Sequence, residues 1–175
     1  MYDSELNTPG SELESRIAKL QDHLIDNRID AALIIQRVDL FYFSGTIQQA
    51  NLYVPAQGDP ILLAVKSTPR ARAESAIERM ATIRSPGNIP ELLKQNGYEM
   101  PGTLGLELDV LPANLYFTYQ SIFEKAKIED ISHAIRLIRA VKSPYELDIM
   151  RRAGKLSDEV AATGLIEGKH EHCHS

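Results

Sequence analysis

The sequence predicts an α/β protein: a three-layer mixed sheet of about six strands with helices on both faces. Short continuous apolar runs such as "DAALII", "PILLAV" and "TLGLEL" have the length and composition of strands covered on both sides. Segments with helically spaced apolar residues lie between most of these runs. One pair of runs, "ANLYVPA" and "PILLAV", flanks "QGD", whose Gly and Asp supply turn chemistry; a hairpin there mixes the strand directions.

The elements follow in order. Ser11 and Glu14 read as a capping box ahead of Leu13, Ile17, Leu20 and Leu24, one apolar stripe of a helix that stops near Asn27. After the strand "DAALII", the stretch "RVDLFYFSG" is a short helical turn that packs Leu40, Phe41 and Phe43 and stops at Gly45. The polar loop "TIQQ" leads into the hairpin. "TPRARAESAIERM" is then a helix with Pro69 in its first turn, "TIRSP" a short strand, and "NIPELLKQNG" a helix ended by Gly97. "TLGLEL" is a strand, "LPANLYFTYQSIFEKA" a helix and "KIEDIS" the final strand. Two helices follow, split where Ser143, Pro144 and Glu146 form a second capping box. This gives a leader of residues 1–10, expected to be disordered, a main domain of 11–142, and a terminal segment of 143–175.

A chain of 175 residues is long enough for one well-buried domain and a short appendage. With 43% hydrophobic and 25% charged residues it has an ordinary globular composition, and a formal charge of −5 gives no electrostatic reason to expect nucleic acid or an anionic membrane as partner. The basic residues Arg136, Arg139, Lys142, Arg151 and Arg152 are interrupted by apolar residues at helical spacing, which suits a solvated helix flank better than a phosphate track. The single Cys173 cannot make an internal disulfide, the start "MYDSELNTPGSELES" lacks the basic and apolar parts of a signal peptide, and no apolar run approaches the length of a bilayer span. A cytoplasmic protein is expected.

Few catalytic constellations are present. There is no glycine-rich phosphate loop, no C-x-x-C pair and no G-x-S-x-G elbow. Glu107 and Asp109, two apart at a strand end, share one face and suit paired acid/base work or a cation; the plainer reading is that they close the strand, with Asp109 capping the helix near Pro112. His23 and His133 are isolated on helices. Tyr116, Phe117, Tyr119 and Phe123 have helical spacing and read as core packing or an interface. In "SGTIQQAN", Gln48 and Gln49 could offer amides to a ligand or partner. The tail "EGKHEHCHS" holds His170, Glu171 and His174 in the H-E-x-x-H spacing of zinc hydrolases, but the last six residues leave no room for a third ligand or for walls that exclude water.

Three segments, in order and properly spaced, resemble the N-terminal domain of the creatinase/prolidase group: "LIDNRIDAALIIQRVDLFYFSG", "GTLGLELDVLPANLY" and "IRAVKSPYELDIMRRAGKLSDE". The third is the most specific. In full-length members such a domain, ribonuclease H-like in fold, precedes a "pita-bread" catalytic domain whose carboxylates and histidine hold a pair of divalent metal ions, manganese, cobalt or zinc. Those ligands lie beyond the segment matched here, so the resemblance implies no catalytic residue, cofactor or metal site within this chain.

What the resemblance implies for this part is a supporting role in an Xaa-Pro aminopeptidase or dipeptidase: dimerisation, and shaping of the partner subunit's active site around a proline-containing peptide. Arg37, Tyr42, Gln48 and Gln49 are the expected contacts, Tyr42 by its match to the motif and the others by their place in the loop region. The expected partners are a second copy of the chain, the missing catalytic domain and the parent's peptide, with neither nucleic acid nor membrane among them. Leu147, Met150, Leu156 and Val160 should then face the catalytic domain. A domain of a creatinase-like C–N hydrolase and a small-molecule-binding α/β module are the alternatives. The comparison also gives the tail a turn at Gly168, so that the zinc-type motif would straddle a helix end.

Overall fold

The computed structural model describes residues 7–65 and 68–170, and the side chains within 7–161 and at 163. The chain divides into two compact units, one up to Ile138 and one from Arg139 onward. The first is built on a six-stranded sheet: β1 (Ala31–Ile34), β2 (Ala50–Pro55), β3 (Ile61–Ala64), β4 (Met80–Thr82), β5 (Thr103–Leu106) and β6 (Lys127–Asp130). Their spatial order is β4-β3-β2-β1-β5-β6. The hairpin makes β2 antiparallel to both β1 and β3, while β4 runs parallel to β3, and β5 and β6 continue in parallel beyond β1.

The helices are α1 (Gly10–Asp26), α2 (Arg37–Ser44), α3 (Thr68–Glu74), α4 (Ile89–Gln95), α5 (Ala113–Ile122), α6 (Ser132–Ala140) and α7 (Pro144–His170). Alternation along the strands sorts the core into two layers. Ala32, Ile34, Leu52, Val54, Leu62 and Ala64 meet Leu20 and Leu24 of α1, Leu40 and Phe43 of α2, and Ile135 of α6. On the other face Ala31, Leu33, Tyr53, Leu63 and Leu104 meet Ile89 and Leu93 of α4, Tyr119 of α5 and Phe123 just beyond it. All four residues of β1 are fully buried. Burial of a Leu or Ile side chain contributes about 1.5–3 kcal/mol, so truncation of Leu33 or Ile34 is costly.

Several boundaries differ from those read in the sequence. α1 starts at Gly10, with Pro9 as its cap and Pro9 O accepting from Glu12 N and Leu13 N; Ser11 lies inside the first turn and makes no capping bond. Pro9, with φ fixed at −56°, sets the helix start ahead of the expected box. α3 ends at Glu74, not at Met80, because Glu74 turns its carboxylate inward to the loop that follows α2. β4 lies two residues upstream of the expected strand, where Leu62, Leu63 and Ala64 pair with Met80, Ala81 and Thr82.

The second capping box is present as read. Ser143 N donates to Glu146 Oε2 at 2.8 Å, and Glu146 N donates to Ser143 Oγ at 3.1 Å. α7 then runs through Gly168 to His170, so the expected turn at Gly168 is absent: the helical backbone continues through a glycine at modest cost. The rest of the H-E-x-x-H stretch lies outside the described residues. Along α7, Ile149, Leu156 and Val160 recur seven and four residues apart and are exposed on one side, whereas Leu147 and Met150, three residues apart, are exposed on another, so the four residues expected to share one face divide between two. Among the described residues no helix is long and apolar enough to cross a membrane.

Candidate functional site

The parallel neighbours β1 and β5 end side by side, and β1 feeds directly into α2. That place, at the carboxyl ends of parallel strands where connections leave in different directions, is where open α/β sheets most often build sites. α2 begins because Gln36 folds its side chain back as a cap, Oε1 accepting from Val38 N at 2.6 Å and Asp39 N at 2.9 Å. It ends because Gly45 adopts φ 74°, a left-handed conformation that glycine reaches without strain.

Beneath α2 lies Glu107, the first residue after β5, with 1% exposure. Its Oε2 accepts from the backbone of Ile35 at 2.8 Å and of Gln36 at 3.1 Å, the two residues that follow β1. At the other end of the same strand pair Asp30, just before β1, accepts from Gly102 N and Thr103 N, each at 2.8 Å. The two carboxyls thus close opposite ends of the β1–β5 ladder. Asp39 of α2 is buried next to Glu107. Burial raises the Glu107 pKa to about 8; the two backbone amides oppose the rise, and Asp39 adds to it.

Asp109 does something else. It pairs with Arg136 of α6 and leaves the capping of α5 to Pro112, so Glu107 and Asp109 diverge once the strand ends and form no common pair. Asp109 N also donates to Ser132 Oγ at 3.1 Å, which ties this loop to the start of α6.

The loop after α2 is held from the side of α3. Glu74, 5% exposed, accepts from Thr46 Oγ1 at 2.6 Å, Ile47 N at 3.3 Å and Gln48 Nε2 at 3.0 Å. Arg70 Nε also donates to it, at 3.0 Å. Of the four expected contact residues, Arg37 and Gln49 are exposed. Gln48 is half-buried with its amide turned to Glu74. Tyr42 is half-buried too, with Arg16 4.1 Å from its ring centroid and Arg16 Nη1 donating to its carbonyl at 2.7 Å. Val38, Phe41 and Ile47 are exposed along the same stretch.

Chemically, this is a contact surface over a sealed polar anchor. Glu107 and Asp39 are too deeply buried to reach a substrate, while α2 and its loop present an arginine, an amide and three apolar side chains. Sequence reasoning missed Glu74 and Asp39; the inward turn of Glu74 leaves no local signal, and Asp39 reads as an ordinary first-turn acid. His23 lies beside Asn27 and His133 is exposed. Tyr119 and Phe123 are core, whereas Phe117 is exposed. Among the described residues no three His, Cys, Asp or Glu side chains come together. These described side chains do not fit the paired divalent metals that the resemblance gives to a parent enzyme.

The sequence matches the Creatinase/Prolidase N-terminal domain over residues 16–141. The chain belongs to that family. It is 28% identical over 166 residues to the Xaa-Pro dipeptidase of Pyrococcus furiosus, covering 91% of this chain and 45% of that protein. The fold is similar to that of an Xaa-Pro dipeptidase from Bacillus anthracis, with a TM-score of 0.76 at 16% identity over 87% of this chain and 43% of the other. It is also similar to the N-terminal domain of the cytoplasmic peptidase PepQ from Mycobacterium tuberculosis H37Rv, with a TM-score of 0.62 at 21% identity over 71% and 98%. The chain spans less than half the length of the curated relatives it matches.

Proposed function

We propose that this chain is a non-catalytic N-terminal domain of an Xaa-Pro-specific peptidase, which pairs with a second copy and lends α2 and its loop to the wall of the partner's active site. The observation that carries the reading is the match of residues 16–141 to the N-terminal domain family, within a chain that covers 45% of an Xaa-Pro dipeptidase. Two features support it. The exposed Arg37 and Gln49 stand among Val38, Phe41 and Ile47, a mixture suited to a protein or peptide surface. The exposed Ile149, Leu156 and Val160 on α7 suit cover by a further domain. The reading carries with it a metal-dependent parent, a proline-containing substrate and a cytoplasmic location.

The test joins residues 1–170 to the catalytic half of the Pyrococcus furiosus enzyme and compares the fusion with that half alone and with this chain alone. The fusion should elute as a dimer and hydrolyse an Xaa-Pro dipeptide with added manganese, cobalt or zinc. Replacing Arg37 and Gln49 by Ala should raise its KM about fivefold with kcat little changed, the pattern for lost uniform binding. Turnover by this chain alone, or equal kinetics with and without it, overturns the reading.

A second reading, a small-molecule-binding module, is favoured by a hollow of about 680 Å³ lined by Ile25, Arg28, Asp30, Tyr53, Tyr98 and Met100. A thermal shift with a metabolite panel tests it, since a ligand that binds only the folded chain raises Tm.

A further inference from the structure

Glu107 poses a problem of hydrogen-bond supply. Oε2 has two donors, but Oε1 is buried with no hydrogen-bond partner among the described residues. Its side-chain neighbour, Asp39, is another carboxyl with 6% exposure. Two buried carboxylates side by side repel, and neither can donate to the other. One proton removes both difficulties: it cancels a charge and turns one acid into a donor for its neighbour.

We propose that Glu107 and Asp39 share a single proton, and that this proton is a latch holding the start of α2 to the end of β5. Around Glu107, β1 contributes the backbone amides of Ile35 and Gln36, and α2 contributes Asp39. The next acid on Glu107's own segment, Asp109, is engaged with Arg136 of α6. No cation acts on Glu107 among the described residues. A proton held between the two carboxyls gives Glu107 Oε1 the hydrogen bond it otherwise lacks. At neutral pH the latch is closed, in keeping with the rise of the Glu107 pKa to about 8 through burial and the neighbouring acid.

The sign follows from linkage. The folded chain binds this proton more tightly than the unfolded chain, so the stability it brings is complete below the ordinary carboxyl range and is lost as pH rises through about 8. Deprotonation leaves two adjacent buried charges, and the weakest way out is separation of α2 from the strand ends. Its consequence for Tyr42 and the loop of residues 46–49, a contact surface that loosens in mild alkali, rests on the function proposed above. The latch itself does not.

The experiment is a carboxyl ¹³C NMR titration of the chain labelled in glutamate, combined with amide exchange and denaturant unfolding between pH 6 and 9.5. Glu107 should titrate near pH 8. After correction for intrinsic exchange, the Ile35 and Gln36 amides should open about tenfold more at pH 9.5 than at pH 6, relative to Leu104, as a lost proton linkage of one pH unit or more requires. Glu107→Gln keeps an acceptor for both amides and adds a permanent donor for Asp39, so its stability should match the parent chain at pH 6 and exceed it at pH 9. Titration of Glu107 near pH 4 to 5, or parallel stability curves for the parent chain and E107Q, overturns the proposal. The NMR titration needs no variant, so the result stands even where E107Q does not fold. Loss of the latch with intact peptidase contacts, or the reverse, separates this proposal from the functional reading.

Discussion

Thr46 donates its hydroxyl to Glu74 at 2.6 Å, across 28 residues of chain, and so fastens the loop after α2 to the end of α3. This carboxylate accepts from four donors: the Thr46 hydroxyl, the Ile47 amide, the Gln48 side chain and the Arg70 guanidinium. Glu74→Gln would turn an NH2 toward donors and should fail to rescue. Glu74→Ala should lose about 3 kcal/mol in urea unfolding, the scale of a charged hydrogen-bond set left unsatisfied, and Glu74→Gln at least half of that. The contrast with Glu107 is chemical: there a neighbour is an acceptor, and the amide should be tolerated. Equal tolerance of Gln at both positions would show that this account of the two sites is wrong.

Gly105 in β5 has no room for a side chain. A Cβ there would stand 2.7 Å from Ile131 Cγ2 and 3.1 Å from its Cδ1. Gly105→Ala should therefore destabilise by about 1–3 kcal/mol through overpacking. Ile131→Ala alone should cost about 2–5 kcal/mol by leaving a cavity. Together they should cost less than their sum by about 1–2 kcal/mol, because each relieves the other. Strict additivity in a double-mutant cycle would mean that the close approach of β5 and Ile131, which lies between β6 and α6, is not what excludes a side chain at residue 105.

These two sites show what the sequence could and could not carry. Features set by residues close in the chain were legible: the stops at Gly45 and Gly97, the hairpin turn at Gly58, and the Ser143–Glu146 box all have local chemistry. The alternating core was legible because burial on a sheet has a period of two. The anchors were not. Glu107 meets Ile35 across 72 residues, and nothing near "LELD" says that the glutamate turns inward while Asp109 turns to Arg136. Glu74 ends α3 for the same kind of distant reason. Of the contact residues chosen by place in the loop, Arg37 and Gln49 are accessible, while Gln48 is occupied by an acid that no motif marks.

Asp130 sets the acid side of the stability curve. Its small burial favours the neutral acid, but hydrogen bonds from the Ser132 hydroxyl and amide and from Leu108 N, with Arg136 nearby, outweigh it and lower its pKa below the ordinary value. A lowered folded value means that the stability it contributes is present above the unfolded value and is lost as pH falls through the folded one. Asp130→Asn should flatten part of the fall in Tm between pH 5 and 2 and leave the alkaline side, governed by Glu107, unchanged. A variant whose acid limb superimposes on that of the parent chain would remove Asp130 from this role.

The terminal helix should behave as a separate part. Ile149, Leu156 and Val160 are 45%, 63% and 66% exposed, whereas Leu33 of β1 is fully buried. Leu156→Lys together with Val160→Lys should leave the unfolding of the sheet domain within about 0.5 kcal/mol of the parent chain, whereas Leu33→Ala should cost about 2–5 kcal/mol. In a sample shown to be monomeric by sedimentation, trypsin should cut first at Arg151, Arg152 or Lys155, which stand exposed on α7, and leave the sheet domain intact. Adding a catalytic half that covers the apolar stripe should slow those cuts, because local opening is then coupled to loss of that contact. Cleavage in the sheet domain at the same rate, or no protection in the fusion, would show that α7 is not a face awaiting cover.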